Sequence, residues 1–139
     1  MTRKIREVMT GSPVRVRPDT TVGDAAKLMR EQGIGTVLVA DGDRLVGVVT
    51  DRDLVVRVLA EEHGADAKVV GAYSSEPVCV SPEDDVVVAL DLMRTKAIRR
   101  LPVVEDDGRP IGIVSLGDLA LVADTGRVLN EISTAEPDW

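Results

Sequence analysis

The chain has 139 residues and a net charge of -7. Its hydrophobic fraction is 44%, and it contains no Phe and only one each of Tyr, Trp, Cys and His. The negative charge and the scarcity of aromatic side chains argue against nucleic-acid binding, which requires a basic surface and usually stacking aromatics. A lone cysteine cannot form an internal disulfide, and no apolar run approaches the roughly 20 residues needed to cross a bilayer. With no export signal visible, we expect a cytoplasmic protein without a membrane role.

The sequence contains two copies of one pattern, offset by 64 residues. This offset aligns Lys4 with Lys68, Pro13 with Pro77, and Leu28-Met29-Arg30 with Leu92-Met93-Arg94. The register slips by one residue in the acidic turns at 41–43 and 105–108, where turns tolerate insertion, and Gly47 and Asp53 then align with Gly112 and Asp118. Because one copy of about 60 residues buries little surface, we expect the two copies to share a core.

The first copy predicts a strand at 14–16, which Pro18 prevents from continuing. An amphipathic helix with a capping pair at Thr21 and Asp24 follows. Gly33 closes this helix. Short strands follow at 36–39 and 45–50, and a second helix at 52–62 is expected to stop near Gly64.

The second copy predicts the same order of elements. A strand at 78–80 precedes a helix with a capping pair at Ser81 and Asp84, and this helix closes near Ala97. Strands follow at 100–104 and 110–115, and a helix at 117–123 is expected to stop near Gly126. Residues 127–139 have the composition of a loose tail.

Each copy places a hydroxyl residue at the end of a strand and an aspartate three residues later, as Thr50 with Asp53 and Ser115 with Asp118. The start of a helix attracts phosphate, and a carboxylate can accept hydrogen bonds from ribose hydroxyls. The same spacing is also that of an ordinary helix cap. The duplication favours the ligand-binding interpretation, and the two roles can coexist.

These motifs resemble the cystathionine β-synthase (CBS) domain pair, or Bateman module. The resemblance covers residues 7–126 and rests on Val8-Met9-Thr10 before Pro13, on the strand at 98–104, and on Gly-x-x-Thr/Ser-x-x-Asp-Leu in both copies. It implies an α+β fold of two pseudo-symmetric β-α-β-β-α repeats, at 7–64 and 65–126, each a small three-stranded sheet with helices packed on it. Residues 127–139 would be a C-terminal tail.

The resemblance also implies a function. Similar modules bind AMP, ADP, ATP or S-adenosylmethionine in clefts between two repeats, require no cofactor, and regulate an attached or partner protein without catalysing a reaction. We therefore expect an adenine-nucleotide sensor that pairs through apolar helix faces into a disc-like homodimer. A purely structural or protein-interaction module with empty clefts is the main alternative. An enzyme is disfavoured because a single His and a single Cys supply few catalytic groups.

The resemblance assigns residues to two clefts, each drawing on both repeats. The first would use Val48, Thr50, Asp53, Pro77, Val78, Ile98, Arg99 and Arg100. The second would use Ile113, Ser115, Asp118, Pro13, Val14, Gly35 and Thr36. The basic pair would meet phosphate, which predicts that the first cleft binds nucleotide more tightly. Alternatively, this pair is a solvated strand end.

The remaining polar residues suggest no further site. The acidic turns at 41–43 and 105–107 are expected to be solvated, so no metal site is predicted. Cys79 is predicted to be a buried residue without chemistry, and Tyr73, which aligns with Met9, is expected to pack and not to stack on a base.

Overall fold

The computed structural model describes residues 3–73 and 77–122. In chain order the elements are β1 (Thr10–Gly11), β2 (Arg15–Val16), α1 (Val22–Gln32), β3 (Thr36–Asp41), β4 (Arg44–Thr50), α2 (Asp51–Asp53), α3 (Val86–Lys96), β5 (Arg100–Val104), β6 (Pro110–Ser115) and α4 (Leu116–Ala120). α2 continues as a π-helical segment (Leu54–Leu59), and short 3-10 turns lie at Ile5–Glu7 and Val69–Gly71. The two small three-stranded sheets with helices confirm the α+β prediction. The predicted tail at 127–139 lies outside the described residues, as do Ala123 and Gly126.

The chain forms two compact units. Among the described residues, 14–73 and 77 form the first-repeat unit, and 3–13 together with 78–122 form the second-repeat unit. In the first-repeat unit, β3 is the central strand, parallel to β2 and antiparallel to β4. In the second-repeat unit, β6 is central and pairs antiparallel with both β1 and β5.

Each unit is completed by a short segment that comes before the other repeat in the sequence. Ile5 donates its backbone N–H to the carbonyl oxygen of Asp84 at 2.9 Å, and Val69 donates to that of Thr20 at 2.8 Å. The side chains of Ile5 and Val69 are fully buried, each in a different hydrophobic cluster. Each unit has its own cluster of buried side chains, and these exchanged segments supply apolar surface that one repeat lacks.

Most helix ends agree with the sequence. Thr21 caps α1 by accepting the N–H of Asp24 at 3.1 Å, and Gly33 and Ala97 close α1 and α3 in the left-handed conformation. The cap predicted at Ser81 is wrong. Asp85 caps α3 by accepting from the N–H of Val87 at 2.9 Å. Asp84 instead accepts from the N–H of Ser81 within the preceding turn.

The helix that follows β4 is shorter than predicted. Its π-helical segment ends at Leu59, and the left-handed residue beyond it is Glu62, with φ 63°, and not Gly64. The backbone N–H of His63 donates to the carbonyl oxygen of Val58 at 2.9 Å, which closes the end of the helix without a glycine. Within the described residues, no helix is long and apolar enough to span a membrane.

Candidate functional site

Strand register gathers several predicted ligand-binding residues on one face of each sheet. Directly opposed residues of an antiparallel pair point to the same face. In the first-repeat unit, Thr36 lies opposite Thr50 and Leu38 opposite Val48. The alternating residues Val37 and Val49 belong to the hydrophobic cluster. Thr36, Val48 and Thr50 therefore share the face that points away from that cluster.

The second-repeat unit repeats this arrangement. Arg100 lies opposite Ser115 and Pro102 opposite Ile113, whereas Leu101 and Val114 are in the hydrophobic cluster. Arg100, Ile113 and Ser115 thus share the face that points away from the core. The sequence duplication is matched by a duplicated geometry, in which Arg100 occupies the position that Thr36 occupies in the first repeat.

The hydroxyl and carboxylate pairs form reciprocal helix caps. The Oγ1 of Thr50 accepts the N–H of Asp53 at 3.1 Å, and Asp53 Oδ2 accepts the N–H of Thr50 at 2.8 Å. Ser115 and Asp118 make the same two bonds, at 3.1 and 2.9 Å. The capping interpretation is therefore correct. The capping bonds leave both side chains with hydrogen-bonding capacity, because each hydroxyl can still donate its proton and each carboxylate still has a second oxygen that can accept.

The second carboxylate oxygens of Asp53 and Asp118 differ in whether an arginine pairs with them. Asp53 Oδ1 lies 3.5 Å from Arg57 Nε, an i,i+4 pair on the same helix. Position 122, which aligns with Arg57, is Val. Within the described residues Asp118 has no ion-pair partner, so no arginine competes with a ligand for its Oδ1.

The residues around each helix start also differ in charge. In the first-repeat unit Gly35 lies beside Asp51, and a Cβ added to Gly35 would be 2.9 Å from Asp51 Oδ2. Asp51 Oδ1 accepts the backbone N–H of Arg52 at 2.9 Å. The aligned residues in the second-repeat unit are Arg99, Leu116 and Gly117, so the carboxylate of Asp51 has no counterpart in the second repeat.

Thr36 is a buried polar residue whose hydroxyl has no partner. It is 8% exposed, and its Oγ1 has no hydrogen-bond partner among the described residues. An unpartnered buried hydroxyl costs about 1 to 3 kcal/mol. This atom belongs to the face that carries Thr50, so the cost falls at the predicted site and not in the hydrophobic cluster.

The other predicted residues lie near these strand ends or where the chain passes from one unit to the other. Val14 and Ile98 pack against the hydrophobic clusters of the first-repeat and second-repeat units, respectively. Pro13 and Pro77 are half-buried, and Val78 is exposed. Each predicted cleft draws on residues of both units, and this pairing across units stays a prediction.

Two residues near the site were not singled out from the sequence. Asp51 lies at the start of the helix, and Arg57 lies one turn beyond Asp53. Arg57 could have been found from the i,i+4 spacing of opposite charges. Asp51 could have been found by comparing the copies, because its counterpart Leu116 carries no charge.

Cys79 differs from its prediction, because it is exposed and not buried. Partial desolvation of the thiol nevertheless raises its pKa, so less of the reactive thiolate forms at neutral pH. Within the described residues, no group of three or more His, Cys, Asp or Glu side chains could hold a metal ion.

Two α+β units, each carrying a capped hydroxyl and carboxylate turn at a helix start, define a tandem-repeat α+β protein. The model of the CBS domain family matches residues 5–60 and 70–124. The chain therefore belongs to the CBS domain family and contains two tandem copies, which confirms the resemblance.

Relatives occur in archaea and bacteria. The protein MK0525 of Methanopyrus kandleri is 40% identical over 119 residues, which cover 84% of this chain and 58% of that protein. The chain thus spans little more than half of this relative. The CBS domain-containing protein YhcV of Bacillus subtilis is 36% identical over 117 residues, covering 84% and 83% of the two chains.

A solved structure with a bound ligand is also similar. The CBS domain protein PAE2072 of Pyrobaculum aerophilum, complexed with AMP, matches with a TM-score of 0.77 and 26% identity. The match covers 96% of this chain and all of that one.

Proposed function

We propose that this chain is a cytoplasmic, non-catalytic sensor module that binds an adenine nucleotide and regulates another protein. The observation that carries this proposal is the duplicated cap. Thr50 with Asp53, and Ser115 with Asp118, are held in fixed orientations by two hydrogen bonds each. Each pair retains a hydroxyl proton for a phosphate and a carboxylate oxygen for a ribose hydroxyl, and the fixed geometry lowers the entropic cost of binding.

The charges of the site support a phosphorylated ligand. Arg99 and Arg100 are exposed at the start of β5, and Arg100 lies opposite Ser115 in the ladder. A charged hydrogen bond from arginine to phosphate contributes about 1.5 to 3 kcal/mol. The AMP complex of PAE2072 supports AMP as the first ligand to test.

Isothermal titration of the purified protein with AMP, ADP, ATP and S-adenosylmethionine tests this proposal. We expect at least one of these ligands to bind and a substitution of either Asp53→Ala or Asp118→Ala to weaken that binding about tenfold or more. Asp43→Asn, in the turn between β3 and β4, is a control for a change of net charge away from the site. Absence of binding by all four ligands would favour the structural alternative.

Regulation requires that the ligand favour one state of the module or its complex over another. If the module bound nucleotide equally well in both states, the nucleotide would not change the equilibrium between them. Pull-down of a regulated partner with and without AMP measures this difference, and an unchanged yield would separate nucleotide binding from regulation.

We also propose that the module forms a homodimer. Exposed apolar side chains lie on the π-helical segment and on α3, namely Val55, Val56, Leu59, Val87 and Val88. Light scattering after gel filtration should give twice the chain mass, and Leu59→Glu should reduce it. Val70→Glu adds the same charge at another exposed valine and should leave the mass unchanged.

A further inference from the structure

The second-repeat unit holds an arginine between two carboxylates. Arg6 lies in the amino-terminal segment that completes this unit, and its Nε is 3.0 Å from Glu83 Oε1. Its Nη2 is 3.3 Å from Glu105 Oε1. Glu83 lies in the turn before α3, and Glu105 follows β5. One guanidinium thus joins two turns that are distant in sequence.

The first-repeat unit has the same backbone arrangement without the arginine. Arg6 donates its backbone N–H to the carbonyl oxygen of Pro82 at 3.0 Å, and Val70 donates to that of Pro18 at 3.2 Å. These prolines align in the two copies, so Val70 occupies the position of Arg6. The side chain of Val70 is exposed and carries no hydrogen-bond donor.

The two carboxylates are nevertheless kept in the first repeat. Glu83 aligns with Asp19 and Glu105 with Asp41, and each aspartate is one methylene shorter than its counterpart. A solvent-open depression of about 550 Å³ lies at these two residues. We call it the hairpin depression, and its lining residues are Arg17, Pro18, Asp19, Ala40, Asp41 and Gly42.

The neighbouring cations leave room for a further guanidinium. Arg17, which replaces a serine of the second repeat, pairs with Asp19 at 3.1 Å. Both side chains of this pair are mostly exposed, and exposed ion pairs contribute little, so Asp19 can also accept from a second donor. Arg44 lies opposite Asp41 in the ladder. Within the part of the chain that the structure describes, neither Arg44 nor Lys68 forms an ion pair with Asp19 or Asp41.

The hairpin depression is separate from the candidate nucleotide site. Thr36 lies opposite Thr50 at one end of the β3–β4 ladder, and Asp41 lies opposite Arg44 at the other end. At about 3.3 Å per residue, these ends are roughly 16 Å apart. A group bound in the hairpin depression therefore does not need the residues of the duplicated caps.

We propose that the hairpin depression binds an arginine side chain of a partner protein. This arginine takes the position that Arg6 holds in the second-repeat unit, and it donates to Asp41 and Asp19. Arginine suits the site better than lysine because its planar guanidinium presents several N–H donors that can reach two carboxylates at once. The net charge of -7 also favours a basic partner. Arginine binding here does not depend on the nucleotide binding proposed above.

The proposed site is tested by following the backbone amide NMR signals of the full chain during titration with the peptide acetyl-Ala-Arg-Ala-amide. The amides of Asp19, Asp41 and Gly42 should shift in a saturable way with a Kd of about 1 to 10 mM, because a single exposed arginine binds weakly. The peptide with lysine in place of arginine should bind about threefold more weakly or worse. Equal binding of the two peptides would show general charge attraction and overturn the proposal.

A matched pair of variants locates the binding. Asp41→Asn should weaken the arginine peptide about threefold or more, because one carboxylate is lost. Asp43→Asn makes the same charge change in the same turn, but Asp43 pairs with Arg15 at 3.8 Å and does not line the hairpin depression. It should leave the Kd unchanged. Equal weakening in both variants would contradict the proposed site.

Exchange of the aligned residues tests whether the site fits a guanidinium. Val70→Arg supplies the arginine from the chain itself and should abolish the peptide shifts, whereas Val70→Gln adds length without charge and should retain them. Arg6→Ala should open the equivalent site in the second-repeat unit, so that the peptide also shifts the amides of Glu83 and Glu105. Undiminished peptide binding by Val70→Arg would refute the proposal, provided that its urea unfolding midpoint matches the wild type.

AMP titration of the same variants separates this docking site from the proposed sensor function. Asp41→Asn and Val70→Arg should bind AMP as the wild type does. If the peptide binds but no adenine ligand does, the docking site stands and the sensor function fails. If AMP binds and the arginine peptide causes no saturable shift at Asp19 or Asp41, the docking site fails and the sensor function stands.

Discussion

The ring of Tyr73 lies directly over Gly47. A Cβ added to Gly47 would be only 2.1 Å from Tyr73 Cδ2, a separation that real side chains do not adopt. The second repeat has the same relationship between Met9 and Gly112, where a Cβ would be 2.6 Å from the sulfur. The glycine of the duplicated signature is thus required for packing, and Tyr73 packs against the core as predicted.

Substitution of this glycine should therefore destabilise the fold. We expect Gly47→Ala to lower the free energy of unfolding by about 1 to 3 kcal/mol, because the added methyl group forces the tyrosine ring to move. Urea unfolding followed by circular dichroism measures the change. Gly71→Ala is the matched control, since its Cβ would meet no atom within 4 Å, and an equal loss in both variants would contradict the argument.

The fully buried Ile5 predicts that the amino-terminal segment is needed for stability. Ile5→Ala should lower the free energy of unfolding by about 2 to 4 kcal/mol, because it leaves a cavity in the cluster that contains Val86, Leu101 and Leu119. Chemical denaturation is again the measurement. Val70→Ala, at an exposed valine, should change stability by less than about 0.5 kcal/mol, and a similar value for Ile5→Ala would refute the packing described.

The duplicated caps predict a stability effect that is independent of ligand. Thr50→Ala and Ser115→Ala should each cost about 1 kcal/mol in the ligand-free protein, because the N–H groups of Asp53 and Asp118 lose their acceptors. Thr50→Ser keeps the oxygen and should retain most of the stability. If Thr50→Ala leaves ligand-free stability unchanged, the cap is not a stabilising interaction.

A double-mutant cycle can decide which aspartate acts with Arg100. Because Arg100 lies opposite Ser115 in the ladder, we expect its effect on AMP affinity to couple with that of Asp118→Ala by at least about 0.5 kcal/mol. Coupling with Asp53→Ala should be near zero. Titrations of Arg100→Ala, both aspartate variants and both double variants give these values. The reverse pattern would restore the pairing implied by the family resemblance.

The raised pKa of the Cys79 thiol predicts slow chemical modification. The thiolate is the reactive species, so a raised pKa lowers the fraction of thiolate at a given pH. Alkylation by iodoacetamide at pH 8 should be slower in the folded protein than in urea. The rate in the folded protein should keep rising at pH values where that of the unfolded chain has levelled off. Equal rates and equal pH profiles would show that the thiol is not desolvated.

The sequence was sufficient for the elements that are defined by local pattern. The strands at 100–104 and 110–115 and the left-handed closures at Gly33 and Ala97 were predicted correctly, because alternation and capping residues act over a few neighbours. Ser81 was misassigned as a cap because two aspartates follow it, and only the structure shows that Asp85 accepts the N–H of Val87.

The parts that could not be predicted depend on distant contacts. Nothing in the local pattern of residues 3–13 indicates that they complete the second-repeat unit, because their partners are about 80 positions away. The orphaned hydroxyl of Thr36 and the contact of Asp51 with Gly35 likewise arise from strand pairing. The spacing of Thr50 and Asp53 did predict their hydrogen bonds, but it could not show which carboxylate oxygens remain available.

Because of the exchanged segments, the two units can fold only one after the other while the chain is being translated. On the ribosome, the first-repeat unit can close once residue 77 has emerged, since every strand and helix that it needs has then been made. The segment around Ile5 must wait, without its partners, until β5 and β6 have been translated, which at about 5 to 20 residues per second takes seconds. During that interval the side chain of Ile5 stays exposed to solvent on the nascent chain, and a chaperone can bind it there.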